Sequence, residues 1–348
     1  MRVAIIGADI VGVSTTYELA LLGHEVTVFE RRSSVAEAAC FANAGVVAPG
    51  YTGPWAAPGM RWKVVRALLS TNAPVRLGVV NAPARLPWMW RWWRACRPSV
   101  HIANRTAMLR LAQFSQEWLQ GLTRELGLEF DQAPAFMVLL RSERDLKAAM
   151  PNLALLQQLG VAHEVIDAAR CLRIEPGLHR ATPLHAVLHL PQDGVGNCRQ
   201  FAHLLKAHAQ RLGANFRFDA DVKKILPGST LGEVMHGAPD AVLDNVFNAV
   251  VVCAGPQANR VLSGVGVRLP LASVHAYSVT APLRHVDGMP PPGPRAAAMD
   301  ERYQTAISRL GATHPCIGPG GTGRPPGPHS RRAVAHAGRL VPRRSFDA

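Results

Sequence analysis

The chain opens MRVAIIGADIVGVSTTYELALLGHEVTVFE, and these thirty residues constrain the fold more than anything that follows. Residues 3–6 are a short apolar run without a polar break, as a strand buried in a parallel sheet requires. A helical pattern follows, with Val11, Thr15, Leu19 and Leu22 at spacings of three and four and Gly23 placed to end it. A second apolar run, residues 26–29, leads into Glu30. Strand, glycine turn, helix and strand within about thirty residues make a βαβ unit and commit the chain to the α/β class.

The turn GADIVG is a variant of the G-x-G-x-x-G dinucleotide loop. Gly7 permits the tight turn and Gly12 lets the helix pack on the strand. The helix N-terminus then faces a pyrophosphate. Glu30 lies about twenty residues further on, where a carboxylate accepts the hydroxyls of an adenosine ribose. The middle glycine, however, is Asp9. A carboxylate at ~5 Å from a phosphate charge, in an effective dielectric of ~20, costs roughly 3 kcal/mol, or about two decades of affinity.

A length of 348 residues suits two domains. No uninterrupted apolar run reaches the ~18 residues of a membrane span, and the N-terminus reads as a strand rather than a cleavable leader. The expectation is a cytoplasmic protein, or one peripheral on the cytoplasmic face of the inner membrane. Six scattered cysteines without a C-x-x-C suit reduced thiols and argue against a zinc site. His179, His185 and His189 lie in an extended, proline-containing stretch without a carboxylate or thiolate at ligand spacing, so no metal is expected. The formal charge is +14, but no helix-turn-helix, finger or RNA-recognition pattern accompanies it, and nucleic acid is not expected as a partner.

Residues 38–59 are a loop rich in small residues and proline, and residues 61–127 read as helices. Within them LPWMWRWWRACRP, residues 86–98, concentrates four of the seven tryptophans between arginines. This is either a core helix or a patch at lipid headgroups, where Trp and Arg are both suited. PAFMVLLRS is a strand, residues 142–160 an amphipathic helix with Leu146, Met150, Leu153 and Leu156 on one side, and CLRIEPGL a turn. Residues 199–212 are a helix, ANFRFDADVKKIL is a strand pair, and AVVVCAG is a buried strand ending in the turn Ala254-Gly255. AYSVTAP and MDERYQTAISRL are strands of the second domain. The expected division is residues 1–60 and 191–268 for the nucleotide domain, and 61–190 and 269–310 for a substrate domain.

The stretches GADIVGVSTTYELALLGHEVTVFE, FANAGVVAPGYTGPWAAPG, PWMWRWWRAC, LPQDGVGNCRQF, VVVCAG, AYSVTAP and MDERYQTAISR occur in that order. Together they resemble the D-amino acid oxidase group of FAD-dependent oxidoreductases, and within it the small subunits of D-amino acid dehydrogenases. The resemblance implies a Rossmann-like FAD-binding domain interleaved with a mixed-sheet α+β substrate domain. It implies oxidation of a D-amino acid to an imino acid, which water hydrolyses, with electrons passing from FAD to a respiratory acceptor. A glycine, sarcosine or cyclic imino acid enzyme on the same fold, and a remnant that turns nothing over, are the alternatives.

Carried over to this sequence, Gly7, Ala8 and Gly12 face the pyrophosphate. Val3, Ile6, Asp9, Ile10 and Val11 complete the loop's contact with the cofactor. Glu30, with Arg31 beside it, meets the adenosine ribose, and Val222 meets the adenine by its backbone. Asn43, Ala44 and Gly45 lie along the flavin, and Ala254 and Gly255 form a further cofactor turn. Tyr277, Tyr303 and Arg309 are the candidates for the substrate carboxylate. The sequence departs from the family at Asp9 and at Ala276, where a glycine usually precedes the tyrosine, and the quoted similarity stops near Leu310.

Residues 311–348 hold seven glycines, six prolines, six arginines and no lysine, with Phe346 as the only aromatic residue. Without an apolar period they are expected to be disordered. Their composition is that of a GC-rich gene read out of frame, which would leave the C-terminal part of the fold missing. A genuine basic tail is the alternative.

Overall fold

A computed structural model describes residues 1–62, 64, 82–227, 232–236, 246–274, 277–282, 294–295, 297–311 and 313–318. The chain divides into two compact units, one of residues 1–42 and 198–273, the other of residues 43–197 and 274–348. The segment changes therefore fall at 42/43, 197/198 and 273/274 instead of the expected 60/61, 190/191 and 268/269.

The first unit is built on a four-stranded parallel sheet in the order Ala249–Val252, Arg2–Ile6, Glu25–Phe29, Asn215–Arg217. The helix Ile10–Leu21 connects the two central strands and packs against the helix Cys198–Arg211. A small antiparallel sheet of Val246–Phe247, Gly232–His236 and Val222–Pro227 completes the unit. Its core gathers Ala4, Ile6, Phe29, Val222, Ile225 and Phe247, with the rings of Phe29 and Phe247 edge to face at 5.8 Å.

The first helix exists as expected but presents a different face. Gly12, Val13, Thr16, Tyr17 and Ala20 are buried, whereas Val11 and Leu22 are exposed. The cause lies at Gly12, which must face the strand end because only a residue without a Cβ fits there. That contact fixes the helix rotation, and Thr16 follows it by donating its hydroxyl to the Gly12 carbonyl at 2.7 Å.

The second unit is an eight-stranded mixed sheet. Its path runs Tyr277–Pro282, Thr313–Gly318, Thr305–Ile307, Ala297–Asp300, Gln132–Leu140, Ala186–Gly196, Val46–Val47, with Glu164–Ile166 also pairing Ala186–Gly196. The sheet buries both faces. Phe136, Val138 and Leu140 point to one core with Leu153 and Leu156, whereas Met137 and Leu139 point to the other with Cys171 and Val187. An alternating strand with cores on both sides reads as an unbroken apolar run, which is why PAFMVLL is so hydrophobic.

The helix Glu143–Gln158 is capped by Ser142, whose side chain accepts the Asp145 N–H at 3.3 Å. It buries Leu153 and Leu156 but leaves Met150 exposed. CLRIEPGL is not simply a turn, because Ala168–Ile174 is a helix started by Asp167, whose carboxylate accepts the Arg170 N–H at 2.6 Å. Thr313–Gly318 also departs from expectation. It lies in the stretch expected to be disordered and pairs as a strand, residue by residue, with Tyr277–Pro282. Residues 312 and 319–348 of that stretch lie outside the described residues.

Asp193 is buried on the strand Ala186–Gly196, its carboxylate accepting the N–H of Gly50 at 3.1 Å. Burial pushes this carboxyl up to about 6, against the opposing pull of the Gly50 and Tyr51 N–H groups. Its folded pKa lies above the unfolded one, so its stabilising contribution is complete below pH ~4 and is lost as pH rises through about 6. Asp193→Asn keeps an acceptor without the charge, and it is expected to be more stable than the native chain at pH 8 by about 1–2 kcal/mol and no more stable at pH 4. Thermal unfolding across that range measures this, and parallel curves for the two proteins would refute it.

Candidate cofactor and substrate site

In the first unit the loop residues gather where the sequence places them. Val3 and Ile6 are buried in the first strand, which ends at Gly7 with φ +105°. A Cβ on Gly7 would stand 2.5 Å from the Cys253 carbonyl oxygen. The turn containing Ala254 and Gly255 therefore approaches the loop through backbone alone. A Cβ on Gly12 would stand 1.9 Å from the Gly7 carbonyl oxygen. Both glycines are required by close backbone packing.

Glu30 is buried, and its two oxygens accept the N–H of Ala8 at 2.7 Å and of Arg32 at 2.9 Å. Each oxygen keeps a second acceptor direction, so the carboxylate both shapes the loop and is able to take ribose hydroxyls. Arg31 is exposed beside it. Val222 is buried at the start of its strand, and its carbonyl accepts from Arg260 at 3.5 Å.

Asp9 sits at the N-cap of the Ile10–Leu21 helix without capping it. Its carboxylate instead accepts the N–H groups of Ala38 at 3.4 Å and Ala39 at 3.1 Å. The charge is drawn toward the segment after the second strand, a contact the sequence did not reveal. Held toward Ala38 and Ala39, the charge repels a phosphate by less than the roughly 3 kcal/mol of a carboxylate at ~5 Å. Allowing for the lost contacts to Ala38 and Ala39, Asp9→Gly is expected to tighten FAD about tenfold. Titration of the cofactor-free protein by flavin fluorescence measures this, and equal or weaker binding by the variant would overturn it.

In the second unit, Asn43 accepts the Gly45 N–H at 2.8 Å, and Gly45 has φ +65°. Ser308 donates its hydroxyl to the Ala44 carbonyl at 2.7 Å. Asn43, Ala44 and Gly45 are thereby brought together with the strand end carrying Arg309, whose Nε donates to the Gly311 carbonyl at 3.2 Å. Tyr303 is exposed with the Arg302 guanidinium 5.7 Å from its ring centre. Tyr277 begins a strand, but its side chain, like Ala276, lies outside the described residues.

Two groups went unnoticed in the sequence. Tyr51 donates to Glu301 at 2.9 Å, and Gln304 donates to the other Glu301 oxygen at 2.8 Å. Burial, aided by the Glu301 carboxylate, pushes the Tyr51 phenol well up, so it remains a donor. Behind it the buried Arg105 donates to the carbonyls of Gly50, Tyr51 and Thr52 and to Asn152, fixing the PGYT turn. Tyr51 stood in a quoted motif, but its partner lies far along the chain.

The glycine-only approaches at Gly7 and Gly12, the half-exposed helix N-terminus and the Glu30 carboxylate fit the nucleotide half of FAD. Over residues 2–346 the sequence matches the family described as FAD dependent oxidoreductase, DAO. The chain belongs to that family. It is an FAD-dependent oxidoreductase, and the family match runs past Leu310, where the recognisable stretches end. The chain is 34% identical to a D-amino acid dehydrogenase of Bradyrhizobium diazoefficiens over 314 residues, covering 89% of this chain and 73% of that protein. Among solved structures it resembles glycine oxidase from Geobacillus kaustophilus, with a TM-score of 0.67 at 20% identity, over 98% of this chain and 78% of that one. It also resembles the FAD-bound L-alpha-glycerophosphate oxidase of Mycoplasma pneumoniae, with a TM-score of 0.61 at 13% identity, over 99% and 79% of the two chains. These structures share the DAO fold. No helix among the described residues is long and apolar enough to cross a membrane.

Proposed function

We propose that the chain deaminates a D-amino acid of the D-alanine type oxidatively, yielding a 2-oxo acid and ammonia, with electrons leaving through a respiratory acceptor. The observation that carries this reading is the 34% identity to a D-amino acid dehydrogenase along most of the chain. Bound FAD would supply the acceptor for the hydride equivalent that leaves the substrate Cα. The chain's residues bind and orient the two molecules. The loop from Gly7 to Gly12, with Glu30, Arg31 and the Ala254–Gly255 turn, would hold the nucleotide, and Val222 would contact the adenine. Asn43, Ala44 and Gly45 would line the flavin.

Arg309 pairs with the substrate carboxylate through its terminal nitrogens, since its Nε is committed to Gly311. Tyr277 and Tyr303 supply the remaining hydrogen bonds. Water adds to the imino carbon of the product, and the C–N bond breaks to release ammonia. The test is anaerobic mixing of the FAD-loaded protein with D-alanine, reading loss of visible flavin absorbance, followed by reoxidation with a quinone analogue or oxygen. Bleaching by glycine or sarcosine but not D-alanine would move the chain to the glycine oxidase type. Failure of every amine to bleach a loaded flavin would mark it as non-catalytic.

We infer peripheral contact with an anionic membrane surface through the helix Ala82–Ala95. Trp90 and Trp93 are 59% and 43% exposed, and the guanidiniums of Arg94 and Arg61 lie over their rings at 4.6 and 5.3 Å. Leu86 and Met89 are exposed on the same helix. Apolar rings interleaved with cations suit anionic headgroups, and this reading puts the protein on the cytoplasmic face of the membrane. Trp92 is half-buried, with its carbonyl accepting from the buried Cys96 thiol, so it is a poor site for the test. The double variant Trp90→Ala/Trp93→Ala is expected to weaken binding to phosphatidylglycerol-containing vesicles about tenfold, with an unchanged Tm. Unaltered vesicle binding, or unfolding of the variant, would refute the assignment.

A further inference from the structure

The first unit holds a pair of thiols with no part in the cofactor assignments above. Cys40 is buried in the segment that follows the strand Glu25–Phe29. Cys198 is half-buried and is the first residue of the helix Cys198–Arg211. Both are present as thiols, and the two are hydrogen-bonded to each other. Cys40 Sγ also accepts the N–H of Ile10, at the start of the first helix, at 3.5 Å. The next residue on each segment repeats the contact, with the Arg199 guanidinium 4.6 Å over the Phe41 ring. Two successive pairs, 40 with 198 and 41 with 199, thus hold the first chain segment of this unit against its second.

We propose that Cys40 and Cys198 are a redox modification site that forms a reversible disulfide on exposure to a peroxide, crosslinking the two chain segments of the nucleotide-binding unit. Thiols already in hydrogen-bond contact need only a small approach to reach an S–S bond of ~2.05 Å. Cys198 is the more accessible of the two and reacts first. Its sulfur attacks one peroxide oxygen, the O–O bond breaks, and the departing hydroxide leaves as water with the thiol proton. The Cys40 sulfur then attacks the Cys198 sulfur, and the S–OH oxygen leaves as a second water carrying the Cys40 proton. One hydrogen peroxide is reduced by two electrons, two thiols become one disulfide, and two waters form.

The order follows from the surroundings. The hydrogen bond to Cys198, with burial, pushes the Cys40 thiol well up, so Cys40 keeps its proton while Cys198 meets the peroxide. Oxidation of Cys198 removes that hydrogen bond, and Cys40 then gives up its proton as it attacks. Cys171 lies in the other unit against Met137, and Cys253, the third free thiol of this unit, is hydrogen-bonded to Thr15 instead of to either member of the pair. The crosslink spans the whole inserted segment 43–197, and a disulfide that closes so long a loop restricts the unfolded chain strongly.

The experiment uses the purified full chain, treated with hydrogen peroxide, alkylated and digested without reductant. The expected product is one linked peptide pair joining Cys40 to Cys198, two hydrogen masses lighter than the separate peptides and released by dithiothreitol. The Tm of the oxidised protein rises by several degrees. Cys40→Ser and Cys198→Ser each abolish the linked peptide and the rise while keeping the reduced protein's Tm, and Cys40→Ala serves as a second variant if the serine unfolds the unit. Sulfinic acid at Cys198 with Cys40 still open to alkylation would overturn the proposal. So would a peroxide-induced disulfide that uses any other pair.

Discussion

Gly12→Ala is expected to abolish FAD binding and to destabilise the nucleotide-binding unit by 3 kcal/mol or more, roughly the upper range for forcing atoms into a packed site. The added Cβ would lie 1.9 Å from the Gly7 carbonyl oxygen and 2.9 Å from its carbon. Both are backbone atoms of the strand end that forms the phosphate turn, so no flexible side chain can yield. The helix must lift from the sheet, taking with it the N–H groups that we propose bind the pyrophosphate. Gly23→Ala provides the contrast, since a Cβ there meets nothing. Its cost comes only from the left-handed φ of +78°, about 1 kcal/mol. Thermal unfolding and FAD titration of both variants test the argument. A Gly12→Ala protein with native Tm and FAD affinity would refute it.

Asp300→Ala is expected to cost about 3–5 kcal/mol, the usual consequence of leaving a buried charge without its partner. Asp300 ends the strand Ala297–Asp300, and Arg141 follows the strand Gln132–Leu140, which runs parallel beside it. The Arg141 Nη2 to Asp300 Oδ2 distance is 2.6 Å, with side-chain exposures of 6% and 0%. Asp300 also accepts the Arg302 N–H at 3.1 Å, and Arg141 donates to the Pro183 carbonyl at 3.0 Å. In a unit of this size the expected fall in Tm is about 8–15 °C. Replacing both partners by apolar residues, as Arg141→Met/Asp300→Leu, is expected to recover most of the loss, because the main penalty belongs to the orphaned cation. If the single variant melts within a degree or two of the native protein, the pair contributes nothing to the join between these strands.

What the sequence disclosed was local chemistry. The geometry at Gly7, Gly12 and Glu30 follows from a turn, a close approach and a spacing, all contained in thirty residues. The double-sided strand 132–140 was legible because its apolar run is unbroken. The helix face was misread because its orientation is set by a missing side chain at Gly12, which a count of apolar positions does not register. The short helix 168–174 was hidden by the Pro176-Gly177 pair just after it, although Asp167 supplied its starting signal. Contacts such as Asp9 with Ala39, Tyr51 with Glu301 and Cys40 with Cys198 join distant segments, and no local pattern encodes them. The segment changes at 42/43 and 197/198 were missed for a related reason. The chain passes between units inside continuous loop and strand-to-helix sequence, without a linker composition to mark the passage.

The parallel sheet of the first unit also sets a timetable for biosynthesis. The strand Arg2–Ile6 is made before the other three strands of this sheet, and one of its two neighbours, Glu25–Phe29, follows at once. Its other neighbour, Ala249–Val252, is made roughly 240 residues later. At ~5–20 residues per second that interval is roughly 12–50 s. Throughout it, one edge of a strongly apolar strand has no native partner, whereas much of the inserted unit can already pair its own strands. The nascent chain therefore passes through a period in which the nucleotide-binding half is the vulnerable half, and a holdase that shields the strand Arg2–Ile6 until Ala249–Val252 is made would act on this protein before the sheet is finished.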